Sequence, residues 1–261
     1  MRFRLRAALA AVLVAAATAC GGRGLLAPQY EYEEDLTLGL DGSATLVVNA
    51  SIPALVALRG LPLDASPRAR LDRLAARVRE LYTSQYAEVV RVAQWTRSRR
   101  RFIGVRLRVP DVRALPKAAP FSWARYTLEA ADGQHVFTET IGAIGPSAAK
   151  SVALADVGLT GRELVAFRVH LPSHIRYHNA RDIDRDEPRS IQRGNILTWE
   201  QRLSDRMQGT PVQIEVRMDS ESILYRTLYL FGLAFLAAVA VLALLIWLTI
   251  RKGQQAETIG R

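Results

Sequence analysis

The sequence predicts an α+β exported domain, an antiparallel sheet with one main amphipathic helix, followed by one C-terminal transmembrane helix. Three observations carry that prediction. Residues 227–250 contain no charged side chain, and at 1.5 Å per residue roughly 24 residues suffice to cross a hydrocarbon core of about 30 Å. Several short segments alternate apolar and polar residues with period two, the mark of half-buried strands, and turn dipeptides separate them. One segment places Leu71, Leu74, Val78, Leu81 and Tyr82 on a single helical face.

The N-terminus reads as a targeting segment, residues 1–19. Arg2, Arg4 and Arg6 form a positive region, 7–17 is apolar, and Ala17-Thr18-Ala19 is a small-residue cleavage site. The lone cysteine, Cys20, comes next. That placement resembles the lipobox of bacterial lipoproteins, which implies a lipid on Cys20 and a lipidated linker over 20–29. Cleavage without lipidation and an uncleaved signal anchor are the alternatives, and all three carry the following chain across the membrane. Tyr225 and Tyr229 flank one end of the C-terminal span and Trp247 the other, where aromatic belts lie. Arg251 and Lys252 follow the span and assign the tail, 251–261, to the cytoplasm by the positive-inside bias. The expected location is the bacterial inner (cell) membrane, with the ectodomain periplasmic or extracellular.

A single cysteine cannot form an internal disulfide, so the exported part must be held by its core. About 205 residues lie between Cys20 and the span, enough for one large domain or two small subdomains. The formal net charge is +10, and the lysines are Lys117, Lys150 and Lys252, every other basic residue being arginine. A basic exported domain beside a membrane favours anionic lipid over nucleic acid, for which no module signature is present.

In the first strand the even positions are Tyr30, Tyr32, Glu34, Leu36, Leu38 and Leu40. Asp41-Gly42 predicts a type I′ turn, and Ala44, Leu46, Val48 and Ala50 alternate on the return strand. Pro53 ends that strand, and 54–58 reads as a short helix or a loop. Ser66 as N-cap and Pro67 at the next position start the amphipathic helix. Its remaining surface carries Arg68, Arg70, Arg73, Arg77 and Arg79, a solvated face or a surface for lipid headgroups. Residues 88–95 read as a strand, and Arg97, Arg99, Arg100 and Arg101 as a basic turn. These four are the candidate headgroup-binding residues, the alternative being a plain solvated turn. Ile103, Val105, Leu107 and Val109 form the next strand, stopped by Pro110. A helical turn over 111–115 and a hairpin about Asp132-Gly133 complete an α+β subdomain, 30–142. Residues 143–161 are rich in small side chains and read as an internal linker or long crossover. A β subdomain, 162–222, continues the same ectodomain with strands over 163–171, 196–201 and 212–218. A mixed-charge loop lies at 181–189.

Catalytic and metal motifs do not hold together. Ser147 and Lys150 match S-x-x-K, and Tyr177-His178-Asn179 resembles the middle motif of penicillin-binding enzymes, but no K-T-G follows. Asp182, Asp184 and Asp186 start like an EF-hand loop, yet Glu187 replaces the glycine and Arg193 the final glutamate. His170, His174 and His178 would share one face only on an unbroken strand, and Pro172 intervenes. No catalytic residue, metal ligand or cofactor is therefore expected.

A family resemblance rests on order and short motifs. Cys20 follows the signal segment, and the first hairpin carries Leu40-Asp41-Gly42-Ser43-Ala44. The amphipathic helix precedes Phe102-Ile103-Gly104-Val105-Arg106-Leu107. Later come Val169-His170-Leu171-Pro172-Ser173-His174-Ile175 with Asn179-Ala180, then Gly194-Asn195-Ile196-Leu197-Thr198-Trp199, then a span with a basic tail. This arrangement resembles the LppM family of bacterial membrane-anchored lipoproteins. The resemblance implies an α+β domain outside the membrane that binds lipid or glycolipid without catalysis. Asn179 is followed by alanine where a turn glycine is expected, and the turn at Arg97–Arg101 matches no motif. No ligand-contacting residue carries over. The expected partner is membrane lipid; a structural or signalling role with an envelope protein partner is the alternative.

Overall fold

The computed structural model describes residues 29–60, 63, 71–143 and 153–259. The export signal, Cys20, the Ser66-Pro67 helix start and the Ser147/Lys150 pair lie outside the described residues.

The first hairpin joins β1 (Tyr30–Leu38) to β2 (Ala44–Ser51). Tyr32, Leu36, Leu38, Leu46, Val48 and Ala50 are buried, as the alternation requires. The turn differs from the prediction. Gly42 N donates to Gly39 O at 3.2 Å and Gly39 N to Ser43 O at 2.7 Å. Gly42 has a φ of +89° whereas Asp41 is not left-handed. This is a type I turn closed by a left-handed glycine, not type I′. The Asp41 carboxylate fixes it, accepting from Ser43 N at 2.9 Å and from Ser43 Oγ at 2.7 Å.

Helix α1 (Ile52–Arg59) follows β2 without a loop. Ser51 Oγ accepts from Ala54 N at 3.2 Å, Pro53 sits in the first turn, and left-handed Gly60 ends the helix. Helix α2 (Leu71–Tyr82) buries Leu74, Val78 and Tyr82 and exposes Arg73, Arg77 and Arg79. Next come β3 (Glu88–Arg97) and β4 (Arg100–Val109), a 3-10 helix at Val112–Lys117 capped by Asp111, then β5 (Ala124–Ala131) and β6 (Gln134–Ile141). The rest of the domain is β7 (Leu164–His170), β8 (Ser173–His178), β9 (Ile196–Arg202), the short α3 (Leu203–Met207) and β10 (Val212–Ser222).

These strands form two sheets rather than one. The first has the order β3-β4-β2-β1-β7-β9 and the second β5-β6-β10-β8. The first is mixed, because β7 runs parallel to β1 with Leu36 opposite Val169. The expected antiparallel sheet with one main helix is thus corrected to one mixed and one antiparallel sheet, with α1 and α3 beside α2. Period-two alternation marks a strand's buried face but not its partner's direction, and a parallel neighbour needs a long crossover. Between β1 and β7 the chain passes through β2 to β6, which is that crossover. Strands from 30–142 and from 162–222 share both sheets. The inner faces of the sheets meet, with α1, α2 and the Val112–Lys117 turn filling the same core.

Strand β10 passes directly into α4 (Ile223–Ile259). Its segment Ile223–Leu248 is long and apolar enough to span a membrane and is unburied by the domain. Ile223 N donates to Pro172 O at 3.1 Å, tying the helix start to the β7–β8 corner. The β1–β2 turn and the β7–β8 corner therefore lie at the helix-bearing pole. The start of β1 and the β3–β4 turn lie at the opposite pole, roughly 26–30 Å away at 3.3 Å per strand residue.

Candidate functional site: a mixed-charge cleft on the outer face of the mixed sheet

The outer face of the mixed sheet carries the odd positions of β1 and the polar positions of β7 and β9. Asp35 stands opposite Arg168, and Arg168 opposite Thr198. Above them the chain between β8 and β9 folds back and leaves a cleft of about 1000 Å³. Its walls include Tyr30, Asp35, Arg168, His170, Arg189 and Glu200, with Arg185 and Arg193 at the loop.

The loop is held by its own polar groups. The Asp182 carboxylate accepts from Asp184 N at 3.0 Å and Arg185 N at 3.2 Å. Those backbone donors hold its carboxyl below the usual range. Arg189 anchors the loop to the sheet, donating to Glu200 Oε2 at 2.7 Å and Thr198 O at 3.2 Å. Glu200 also accepts from the Tyr30 hydroxyl. Burial, then that bond to Glu200, pushes the Tyr30 hydroxyl well above its ordinary value. Arg168 lies 2.7 Å from Glu33 and 3.4 Å from Asp35, and His170 Nε2 is 2.9 Å from Asp35. Arg185 and Arg193 are exposed and form no ion pair with a described residue. Paired arginines and carboxylates fix the floor, then, while the exposed guanidinium groups of Arg185 and Arg193 line the loop side. Such a lining can clamp a phosphate and exchange hydrogen bonds with hydroxyls.

The four arginines singled out from the sequence sit elsewhere. Arg97 and Arg99 are exposed on the β3–β4 turn, at the pole away from α4. Ser98 and Arg99 are both left-handed, with φ of 49° and 63°, which makes this a two-residue type I′ hairpin without glycine. Arg100 is occupied: it pairs with Glu31 at 2.8 Å, lies 3.8 Å from Glu163 and donates to Gly158 O at 3.0 Å. Arg101 follows it in β4. His170 belongs to the mixed sheet and His174 and His178 to the antiparallel one, so the three do not converge. No group of three potential ligands that could hold a metal occurs among the described residues. Of the EF-hand-like acids, Asp182 caps backbone, Asp184 pairs with Arg202 at 3.1 Å and Asp186 with Arg181 at 3.5 Å.

A second cluster lies buried between the sheets. Arg59, at the end of α1, donates to Glu34 Oε1 at 2.9 Å, to the Tyr32 hydroxyl and to Pro120 O, and stacks 3.5 Å over the Trp123 ring. Arg206 approaches the same indole at 5.5 Å and donates to Gly142 O. Glu139, on β6, shares this interior with its cross-strand partner Tyr126. Burial raises the Glu34 carboxyl above the ordinary range against the pull of Arg59. Burial, reinforced by Glu34, raises Glu139 well above it. None of the cluster's residues lines the polar cleft.

No family model matches the chain, and no curated protein matches it in sequence. Among solved structures, the NMR structure of the folded domain of Mycobacterium tuberculosis LppM is similar. The match has 10% sequence identity and a TM-score of 0.38, and covers 76% of this chain and 95% of that one. That is a distant likeness of fold, and nothing about the site rests on it.

Proposed function

We propose that the chain is a membrane-anchored exported lipoprotein, lipidated at Cys20, whose α+β domain binds the headgroup of a lipid or glycolipid at the envelope. The observation that carries this reading is the cleft of about 1000 Å³ with arginines, carboxylates and a tyrosine on one wall. Arg185 and Arg193 meet the phosphate, while Asp35, Glu200 and Tyr30 face the hydroxyls of a sugar or polyol. The cleft runs along β7, whose last residue, His170, is two residues from the Pro172 that holds the helix start. One end of the cleft thus opens toward the membrane surface. Catalysis forms no part of the reading.

The test is mass spectrometry of lipid extracted from the purified full chain. The wild type retains a stoichiometric phosphate-bearing lipid or glycolipid, and an Arg185→Glu/Arg193→Glu variant with unchanged melting loses it. A lipid-free wild-type protein contradicts the reading.

The alternative, engagement of another envelope protein, is supported by one feature. Strand β3 is an open edge of the mixed sheet and exposes Val90 and Trp95. A photo-crosslinker at Val90 that captures one defined membrane protein in cells would favour it; recovery of lipid alone would not.

A further inference from the structure

At the helix-bearing pole a crevice of about 680 Å³ separates the β1–β2 turn from the first turns of α4. It is lined by Leu40, Ser220, Glu221, Ser222, Tyr225 and Tyr229. We infer that this crevice seats a phospholipid of the bilayer that α4 crosses, with the β1–β2 turn lying in the headgroup layer. The inference rests on the proposed reading of α4 as a membrane span, and is independent of the polar cleft.

Depth is the first argument. The apolar segment Ile223–Leu248 is roughly 39 Å long at 1.5 Å per residue, against about 30 Å of hydrocarbon. Arg251 and Lys252 bound the other end. Counting back about 20 residues from Arg251 puts the near edge of the hydrocarbon close to Leu230. Ile223 to Tyr229 then lie at headgroup depth, and Tyr225 and Tyr229, four residues apart, share one helix face there. Leu40 lines the same crevice as both tyrosines and so lies at the same depth.

Rigidity is the second. No loop separates β10 from α4. Ser173 Oγ donates to Glu221 O, Ser222 Oγ accepts from Leu224 N at 3.2 Å, and Ile223 N is held by Pro172 O. The Ile223 bond therefore ties the first turn of α4 to the β7–β8 corner beside the crevice.

Composition identifies the occupant. The crevice takes in Tyr225 and Tyr229, both exposed on α4. One wall is apolar, from Leu40 and the tyrosine rings, and the rim is polar, from Ser220, Ser222 and Glu221. That suits an amphiphile entering from the bilayer. The Glu221 carboxylate complements an ammonium headgroup and disfavours an anionic one.

The full chain in nanodiscs, with tryptophan placed at Leu40, tests this directly. The probes are phospholipids brominated at carbons near the ester end of the acyl chain, with an ethanolamine or a glycerol headgroup. Leu40→Trp is expected to show at least about twofold more added quenching than Arg97→Trp at the far pole. The ethanolamine lipid should quench more than the glycerol lipid, and Glu221→Gln should abolish that preference. Ser220→Trp, on the rim, gives the same reading if Leu40→Trp melts early. Equal quenching at the two poles overturns the seat while leaving the span intact. Quenching without headgroup preference overturns the role of Glu221. Failure of the chain to enter nanodiscs removes the span and the seat together. Loss of lipid from the Arg185→Glu/Arg193→Glu variant bears on the polar cleft alone.

Discussion

Replacing Arg59 with methionine removes the cation from the buried cluster while keeping most of its apolar length. The Arg59 and Glu34 side chains are only 8% and 3% exposed, and their contact is 2.9 Å. Without Arg59, Glu34 is left as an unpaired buried carboxylate, or it takes a proton. At pH 7 protonation of an ordinary glutamate caps that term at about 3.7 kcal/mol, from a carboxyl pKa of about 4.3 and 1.36 kcal/mol per pH unit. Loss of stacking on Trp123 adds about 1 kcal/mol. The expected destabilisation is about 3–5 kcal/mol, in line with breaking one half of a buried pair. For a domain of this size that lowers the melting temperature by about 6–20 °C. The carboxylate term should shrink as pH falls toward 5, because protonation there costs little. A second change, Glu34→Leu, made in the Arg59→Met background, should recover part of the loss. Urea denaturation of the full chain in detergent at pH 7 and pH 5 measures each. A loss below about 1 kcal/mol, or one independent of pH, refutes the assignment of Arg59 and Glu34 as a buried pair.

The raised Glu139 carboxyl gives a second pH signature. Its folded form binds a proton that the unfolded chain releases above its ordinary range. The stability it contributes is therefore complete below the unfolded value and is lost as pH rises toward the folded one. Glu139→Gln should flatten that decline in a melting series from pH 4 upward, and an unchanged slope contradicts it. Gly104→Ala places a Cβ 2.8 Å from Asn49 Oδ1 and 2.9 Å from the Trp95 ring. It should cost about 1–3 kcal/mol and shift the emission of Trp95, which is stacked 5.8 Å from Phe102. A neutral substitution with unchanged emission would show that Trp95 does not pack over Gly104. Tyr30→Phe removes the donor to Glu200 and should weaken lipid retention while leaving Arg189 on the loop; unchanged retention removes Tyr30 from the headgroup contacts.

The elements were legible where one physical rule decides them. Alternation located β1 and β2, glycine after aspartate located the β5–β6 turn, and length with apolarity located α4. Glu34 was legible in a different sense: it occupies an inward position among Tyr32, Leu36 and Leu38, and a carboxylate there needs a buried partner. What remained hidden depends on three-dimensional neighbours. The parallel pairing of β1 with β7 leaves no mark in either strand's pattern. The polar cleft draws Tyr30 and Asp35 from one strand, Arg168 and His170 from a strand over 130 residues later, and Arg185, Arg189 and Arg193 from a loop that reads only as mixed charge. The outward alternation of Arg168 and His170 beside that loop was the available signal. The basic turn at Arg97–Arg101 was conspicuous because its charges are consecutive, but consecutive charge does not say which pole carries it or that Arg100 is braced against Glu31 and Glu163.

Lipid can meet the cleft as proposed only if α4 spans a bilayer and the folded domain stands on its outer side. Reporter fusions in living cells measure this most directly: one active only after export, joined after Ser222, and the same reporter joined after Arg261. Activity from the first junction and silence from the second is the predicted result. Silence after Ser222 with activity at the C-terminus would place the domain inside the cell and contradict it.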